Sequence, residues 1–386
     1  MKQINIIQFT PYFPPHKGGL ETVGQEISKY WVYNNYGDFI NVTTEFDQQD
    51  HGDEKIIFKG QEIGYKKDGY QVLVCPSIEI VYNFPIYKFW DQKYKMIQKY
   101  LRSCIEKSNC EYRVITHTRF FLPTFFGGLF ARKNNIPWLH IEHGSGYAKL
   151  GSKFKTYVGI IYDHTLGKWS LKKADIILPI SKACEKFVLQ IGGNISHKTH
   201  IFYRGLDLDM KQKEKKDDIK LVFVGRLVSL KGVADLIEAY IASRVQQELV
   251  IIGDGDEAEK LKQQAKGHDI TFLGFQKSDF VIDFLNSHNC IFINPSYQEG
   301  LPTTVIEGLA TRNVVIATDV GGTKEISEQD DLMIINSGDI QELKNKILYA
   351  LENYSTLKGL SLENVNEKFN WDNNIKKLYR LANKYE

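Results

Sequence analysis

The sequence predicts an α/β protein built of two Rossmann-like, doubly wound domains. Three observations carry the prediction. Strand-like and helix-like stretches alternate along the chain, the pattern of a parallel sheet with covering helices. The alternation breaks once, at the charged stretch 210–220 (MKQKEKKDDIK), and then starts afresh. At 386 residues the chain exceeds one ordinary hydrophobic core. The expected layout is a first domain over 1–205, a linker over 206–219, a second domain over 220–370 and a final segment over 371–386.

In the first domain, residues 4–9 read as a strand, followed by a Pro/Gly-rich loop and a helix over 20–34. Strands are expected at 39–44 and 70–75, then a long helix over 85–107. Residues 113–116 and 138–141 look like central strands ending in polar loops, and 174–178 and 199–202 continue the sheet. In the second domain a strand at 221–224 ends in Gly225-Arg226-Leu227, and Lys231-Gly232 opens a helix. Strands at 249–252 and 270–273 end in Gly253-Asp254-Gly255-Asp256 and Gly274-Phe275. A strand at 290–294 runs into Pro295 and a polar loop, where Pro302 suits a first helical turn because its missing N–H would be unpaired there anyway. Strands at 314–317 and 332–335 and helices at 339–354 and 371–385 complete the chain. Ligands of such sheets bind beyond the carboxyl ends of the strands, and two open sheets would leave one cleft between them.

Composition describes an ordinary globular protein, with 42% hydrophobic and 25% charged residues. The five cysteines show no metal-type pairing and read as buried, reduced thiols. Neither a signal segment nor a membrane-spanning run is evident, so a cytoplasmic location is expected. Residues 1–205 hold 27 Lys/Arg against 18 Asp/Glu, whereas the remainder holds 22 against 29. The basic residues of the first half are interleaved with aromatics at 87–100, 153–157 and 168–169. That pattern suits an anionic membrane surface, with a merely solvated helix face as the alternative; no nucleic-acid motif accompanies it.

The candidate site residues lie at strand ends. Glu299 sits on the loop before Pro302, and Glu307 in the first turns of the helix behind it. The N–H groups of Gly300 and Leu301, with the helix dipole, make an anion site. Two carboxylates beside an anion site suit a ligand with both phosphates and hydroxyls, such as a nucleotide-sugar. Arg226 and Lys231 can converge on one anion. Gly18-Gly19 precedes the first helix, where bare backbone could approach a phosphate. His143, beside Glu142 and before Gly144-Ser145-Gly146, ends a strand; His117 has the same placement and a weaker claim. Asp254 and Asp256 read as helix-capping residues rather than metal ligands, and no metal site is expected.

These motifs together resemble the retaining GT-B glycosyltransferases of the family 4 type. The resemblance runs through residues 9–19, Glu142-His143-Gly144, Val224-Gly225-Arg226-Leu227 with Lys231-Gly232, Gly253-Asp254-Gly255, Leu273-Gly274-Phe275, Glu299-x7-Glu307 and Thr318-Asp319-Val320-Gly321-Gly322. It implies a GT-B fold, with the last helix after Phe369-Asn370-Trp371 crossing back to the first domain. It implies that Glu299 bonds donor-sugar hydroxyls and Glu307 the ribose. Arg226 and Lys231 would hold the diphosphate with help from Gly19, Gly300 and Leu301, His143 would lie at the sugar, and Leu273 to Phe275 would meet the base. One departure is Tyr203-Arg204-Gly205-Leu206-Asp207, where the family commonly has Asn-Gly-Val-Asp. The implied reaction is hexose transfer with retention from a UDP-sugar or similar donor, without a metal or other cofactor, to a lipid-linked or growing surface glycan. It would take place at the inner face of the cell membrane. A nucleotide-sugar epimerase of the same fold and an inactive nucleotide-sugar-binding subunit are the alternatives.

Overall fold

The computed structural model describes residues 2–16, 19–46, 53–81, 84–148, 152–206, 213–327, 332–359, 365 and 367–384. The chain divides into two compact units, Met1–Arg204 with Trp371–Glu386, and Gly205–Asn370.

The first unit contains β1 (Ile4–Phe9), α1 (Gly19–Tyr33), β2 (Phe39–Thr44), β3 (Glu54–Phe58), β4 (Gln61–Lys67), β5 (Tyr70–Cys75), β6 (Ser77–Val81), β7 (Phe84–Tyr87) and α2 (Gln92–Lys107). It continues with β8 (Glu111–His117), α3 (Leu122–Lys133), β9 (Trp138–Glu142), α4 (Lys153–Tyr162), α5 (Lys168–Lys173), β10 (Ile176–Pro179) and α6 (Lys182–Gly192). Its main sheet has the order β10-β9-β8-β1-β2-β5-β4-β3, parallel from β10 to β5 and antiparallel beyond. β1 is buried along its whole length, as befits a parallel strand covered on both faces. Its neighbours are β2 on one side and β8 on the other, so the strand order reverses at β1/β8.

Two expectations fail here, and one hairpin had no counterpart in the sequence reading. The helix expected over 85–107 begins only at Gln92, capped by Asp91, whose carboxylate accepts from Lys93 N at 2.7 Å. Of the residues before the cap, Phe84–Tyr87 form β7, paired with β6 in a separate hairpin. The hairpin β3/β4 was not foreseen; its tight turn places both Lys59 and Gly60 at positive φ. Residues 199–202 run beside β10 and make a single bridge, Ile177 to Thr199, rather than a strand.

The second unit contains β11 (Lys216–Val224), α7 (Val233–Ser243), β12 (Leu249–Ile252), α8 (Ala258–Gln264), β13 (Ile270–Gly274), α9 (Ser278–Ser287) and β14 (His288–Asn294). It ends with α10 (Thr303–Ala310), β15 (Val314–Thr318), β16 (Leu332–Ile335), α11 (Ile340–Glu352) and α12 (Tyr354–Leu357). Its six-stranded sheet is ordered β13-β12-β11-β14-β15-β16 and every pairing is parallel. The reversal point lies between β11 and β14. β11 starts at Lys216, inside the stretch expected as linker; its charged first residues project into solvent, which hides the strand from a hydrophobicity reading. Residues 207–212 of that stretch lie outside the described residues.

The C-terminal helix, Trp371–Asn383, belongs to the first unit. Trp371 stacks on Tyr30 and Tyr379 on Tyr36, and Arg113 Nε donates to Ala382 O at 2.7 Å.

Candidate functional site

In the second unit the candidate residues gather at the carboxyl ends of the strands. Lys231 follows β11 and Glu299 follows β14, the two strands flanking the reversal point, where open α/β sheets bind ligands. The structure joins them: Lys231 Nζ meets Glu299 Oε1 at 2.6 Å. Ser296 Oγ donates to the same oxygen at 2.7 Å. The loop carrying Glu299 is tied down on both flanks. Tyr297 N donates to Leu230 O and its hydroxyl to Asp235. On the other side Thr318 Oγ1 donates to Ser296 O, and Gly322 N to Gly300 O at 2.9 Å.

Gly321 makes that second flank possible. Its φ is +57°, and a Cβ there would stand 2.1 Å from Glu299 O. Only glycine allows this backbone contact behind Glu299.

Arg226 is exposed on the turn after β11, and among the described residues no ion pair engages it. Gly253 carries a φ of +146°, and a Cβ there would lie 1.8 Å from Gly225 O, so the two strand-end turns touch through backbone alone. Gly253 N also donates to Gly274 O, and Leu273 O accepts from Gln276, so the turn meant for the base is itself hydrogen-bonded; Phe275 beside it is exposed. Gly300 and Leu301 precede α10, whose first residue is Thr303, with Pro302 in the cap position and Glu307 one turn further on. Asp254 and Asp256 do not cap α8. The Asp254 carboxylate accepts from Gly255 N, and the helix begins later, at Ala258.

In the first unit the structure places His143 at the end of a polar chain that begins at the β1/β8 reversal point. Gln8 fixes the direction of its protons. Its Nε2 donates to Gly24 O at 3.0 Å and Asn41 Oδ1 at 2.6 Å, so Oε1 faces His117 Nε2 at 2.8 Å as acceptor. His117 is neutral, because burial, with His143 and His140 nearby, holds its pKa well below the usual value. A neutral imidazole protonated on Nε2 has a bare Nδ1. Across the 3.0 Å contact between His117 Nδ1 and His143 Nε2, therefore, His143 donates. Burial lowers the His143 pKa to about 4; Glu142 opposes this, while His140 and Arg204 add to it. His143 is thus neutral near pH 7 with Nδ1 as its free acceptor, and the ring is half-buried.

The loop behind His143 rests on a buried ion network that the sequence reading missed. Arg119 Nη1 meets Glu142 Oε1 at 3.1 Å, and Arg119 Nε meets Asp163 Oδ1 at 3.1 Å. Burial pushes the Glu142 carboxyl up, but Arg119, His140 and the Gly144 N–H outweigh it and hold it well below the usual range. Gly144 N donates to Glu142 Oε1 at 2.8 Å and Arg119 N to Oε2 at 3.1 Å, which fixes both ends of the His143 turn. Asp163 reaches the network from a π-helical turn, Asp163–Gly167, between α4 and α5. Gln8 and Asn41 carried a readable signal: each is a polar residue inside an otherwise buried parallel strand, and such groups need specific partners. Gly19 opens α1 with open space where a Cβ would be, and Gly18 lies outside the described residues.

The comparisons with known proteins fit both halves. Residues 18–210 match the glycosyltransferase family 4 model and residues 207–367 the glycosyl transferases group 1 model. An uncharacterized glycosyltransferase of Methanocaldococcus jannaschii, MJ1069, is 30% identical over 99% of this chain and 98% of its own. The chain belongs to the GT-B glycosyltransferases. Within this family it is also similar to the putative teichuronic acid biosynthesis glycosyltransferase TuaC of Bacillus subtilis, 31% identical over 71% of this chain and 73% of TuaC. Among solved structures, Anabaena HepE in complex with UDP aligns over 98% of both chains with a TM-score of 0.73 at 16% identity, a likeness of fold. Among the described residues, no helix of this glycosyltransferase is long and apolar enough to cross a membrane.

Proposed function

We propose that this glycosyltransferase moves a hexose, with retention of anomeric configuration, from a nucleoside-diphosphate sugar to a glycan or lipid-linked glycan of the cell envelope, without a metal ion. The observation that carries the reading is the Lys231–Glu299 pair beside the reversal point of the second sheet. The ammonium and carboxylate satisfy each other. A donor would separate their roles: its diphosphate takes Lys231 together with exposed Arg226, and its sugar hydroxyls take Glu299. Glu307 would accept from the ribose hydroxyls. UDP is the favoured nucleotide, supported by the fold shared with HepE, whose structure contains UDP. A glycan acceptor is supported by the likeness to TuaC, named for teichuronic acid biosynthesis.

Retention is what the resemblance to the family 4 glycosyltransferases implies, and its route would not be a double displacement. That route needs a nucleophilic carboxylate beside an acid, whereas Glu299 would be taken up by sugar hydroxyls and Glu142 is held in a buried ion network. The acceptor hydroxyl would instead attack on the face from which the phosphate departs, giving its proton to a donor phosphate oxygen. Lys231, Arg226 and the N-terminus of α10 would stabilise the charge on the leaving nucleotide, an electrostatic contribution that is usually the largest. His143 Nδ1, bare at neutral pH, would accept a hydrogen bond from a sugar hydroxyl.

Arg226→Ala and Lys231→Ala test the reading. Each should lower turnover by about two orders of magnitude or more while thermal unfolding stays near wild type. Near-normal transfer by either variant would reject its part in stabilising the leaving group.

A further inference from the structure

Helix α4 is apolar on the side that faces water. Phe154, Tyr157, Val158 and Ile161 follow one another at helical spacing, and they are 76%, 62%, 49% and 47% exposed. The opposite side of the helix, with Thr156, Gly159 and Ile160, faces the protein, and Asp163 just beyond it is buried against Arg119. A helix with apolar residues on every side is ordinarily buried; this one lies on the surface.

The charges around the stripe say what would cover it. At 100° per residue the stripe spans roughly 100° of arc, and Lys153 and Lys155, both exposed, fall on either side of it. Lys172 and Lys173, also exposed, follow in α5. The only carboxylate side chain in residues 152–173 is Asp163, which is buried and paired with Arg119. A second copy of this face would oppose lysine to lysine, so self-association is disfavoured. An anionic surface with an apolar interior complements both features.

The structure also separates two parts of the basic, aromatic pattern that look alike in sequence. On α2, Tyr94 and Tyr100 turn inward against the core while Lys95 and Lys99 face solvent, an ordinary amphipathic arrangement. Only the α4 portion presents its apolar residues outward along a whole helical face. Phe89 and Trp90, both exposed, are linked to α5 by a chain of ring contacts, Phe89 to Phe126, Phe126 to Phe125 and Phe125 to Trp169.

We propose that α4 docks the protein on an anionic lipid bilayer, with Phe154, Tyr157, Val158 and Ile161 entering the boundary between headgroups and acyl chains and Lys153 and Lys155 meeting lipid phosphates. The docking does not depend on which donor the second unit binds.

The full-length protein is sedimented with phosphatidylcholine vesicles with and without phosphatidylglycerol, at low and high salt. The variants are Phe154→Ser/Tyr157→Ser/Ile161→Ser and Lys153→Glu/Lys155→Glu, checked by thermal unfolding against wild type. Wild type should bind the phosphatidylglycerol vesicles at low salt. Each variant should unfold at the wild-type temperature and lose binding by at least about tenfold. Salt should weaken what binding the triple serine variant keeps more than it weakens wild type, because that variant has only the lysines left. Absence of wild-type binding at low salt, or undiminished binding by the triple serine variant, would overturn the proposal. So would a wild-type dimer in solution that the serine substitutions dissociate, because the face would then belong to a second copy.

Discussion

Replacing Gln8 by leucine should reverse the direction of hydrogen bonding at His143, more than 100 residues away in sequence. The substitution keeps volume in a buried strand and removes the amide that sets the proton order. Gly24 O and Asn41 Oδ1 lose Gln8 Nε2, and the single Ser28 Oγ–H, 2.8 Å and 3.1 Å from them, can serve either one. On the other side His117 loses its acceptor, and its Nε2–H would face a methyl group. An unpaired buried donor costs about 1–3 kcal/mol. The ring can avoid part of that cost by moving its proton to Nδ1 and donating to His143 Nε2, which forces the His143 proton onto Nδ1. The expected result is a stability loss of about 1–3 kcal/mol and a fall in turnover of about tenfold or more, since a free acceptor becomes a donor. Nitrogen-15 spectra of the two imidazoles read the tautomers directly: Nε2–H on both rings in wild type, Nδ1–H on both in Gln8→Leu. An unchanged His143 tautomer with normal turnover would refute the relay. A loss of stability alone, with the tautomer unchanged, would reduce Gln8 to a packing residue.

Gly321→Ala should be far more damaging than a surface glycine change, because its Cβ would meet the Glu299 carbonyl at 2.1 Å. Turnover should fall by about tenfold or more as the loop shifts, with a lower unfolding temperature; a variant with wild-type kinetics would mean that this loop is not held from behind. Transfer should persist after EDTA treatment, measured as product formed from a radiolabelled donor; strict dependence on an added divalent ion would overturn the metal-independent mechanism.

Much of the second unit was readable because its strands are short apolar runs that each end at glycine or a charged residue. Those strand ends carry the candidate residues, so locating the strands located the site. What could not be read was pairing. Spacing alone offered Lys231 to a phosphate and Glu299 to a sugar, and gave no sign that the two neutralise each other across β11 and β14. In the first unit His143 stood out by its position, whereas no motif singled out Arg119 or Asp163. Their burial depends on a π-helical turn that no propensity signals. The β3/β4 hairpin escaped notice because charged residues dominate its exposed face. The start of β11 was hidden for the same reason, since Lys216 to Asp218 extend a strand beyond the core.

The most direct test of the central claim is a thermal-shift screen of nucleoside diphosphates and nucleotide-sugars against wild type and Glu307→Ala. A ligand at about a hundred times its Kd stabilises the native state by about 2.7 kcal/mol. UDP and at least one UDP-sugar should therefore raise the unfolding temperature of wild type by several degrees, and the shift should shrink or vanish in Glu307→Ala. A wild-type protein that no nucleotide in the panel stabilises would contradict the account, as would equal shifts in the two proteins.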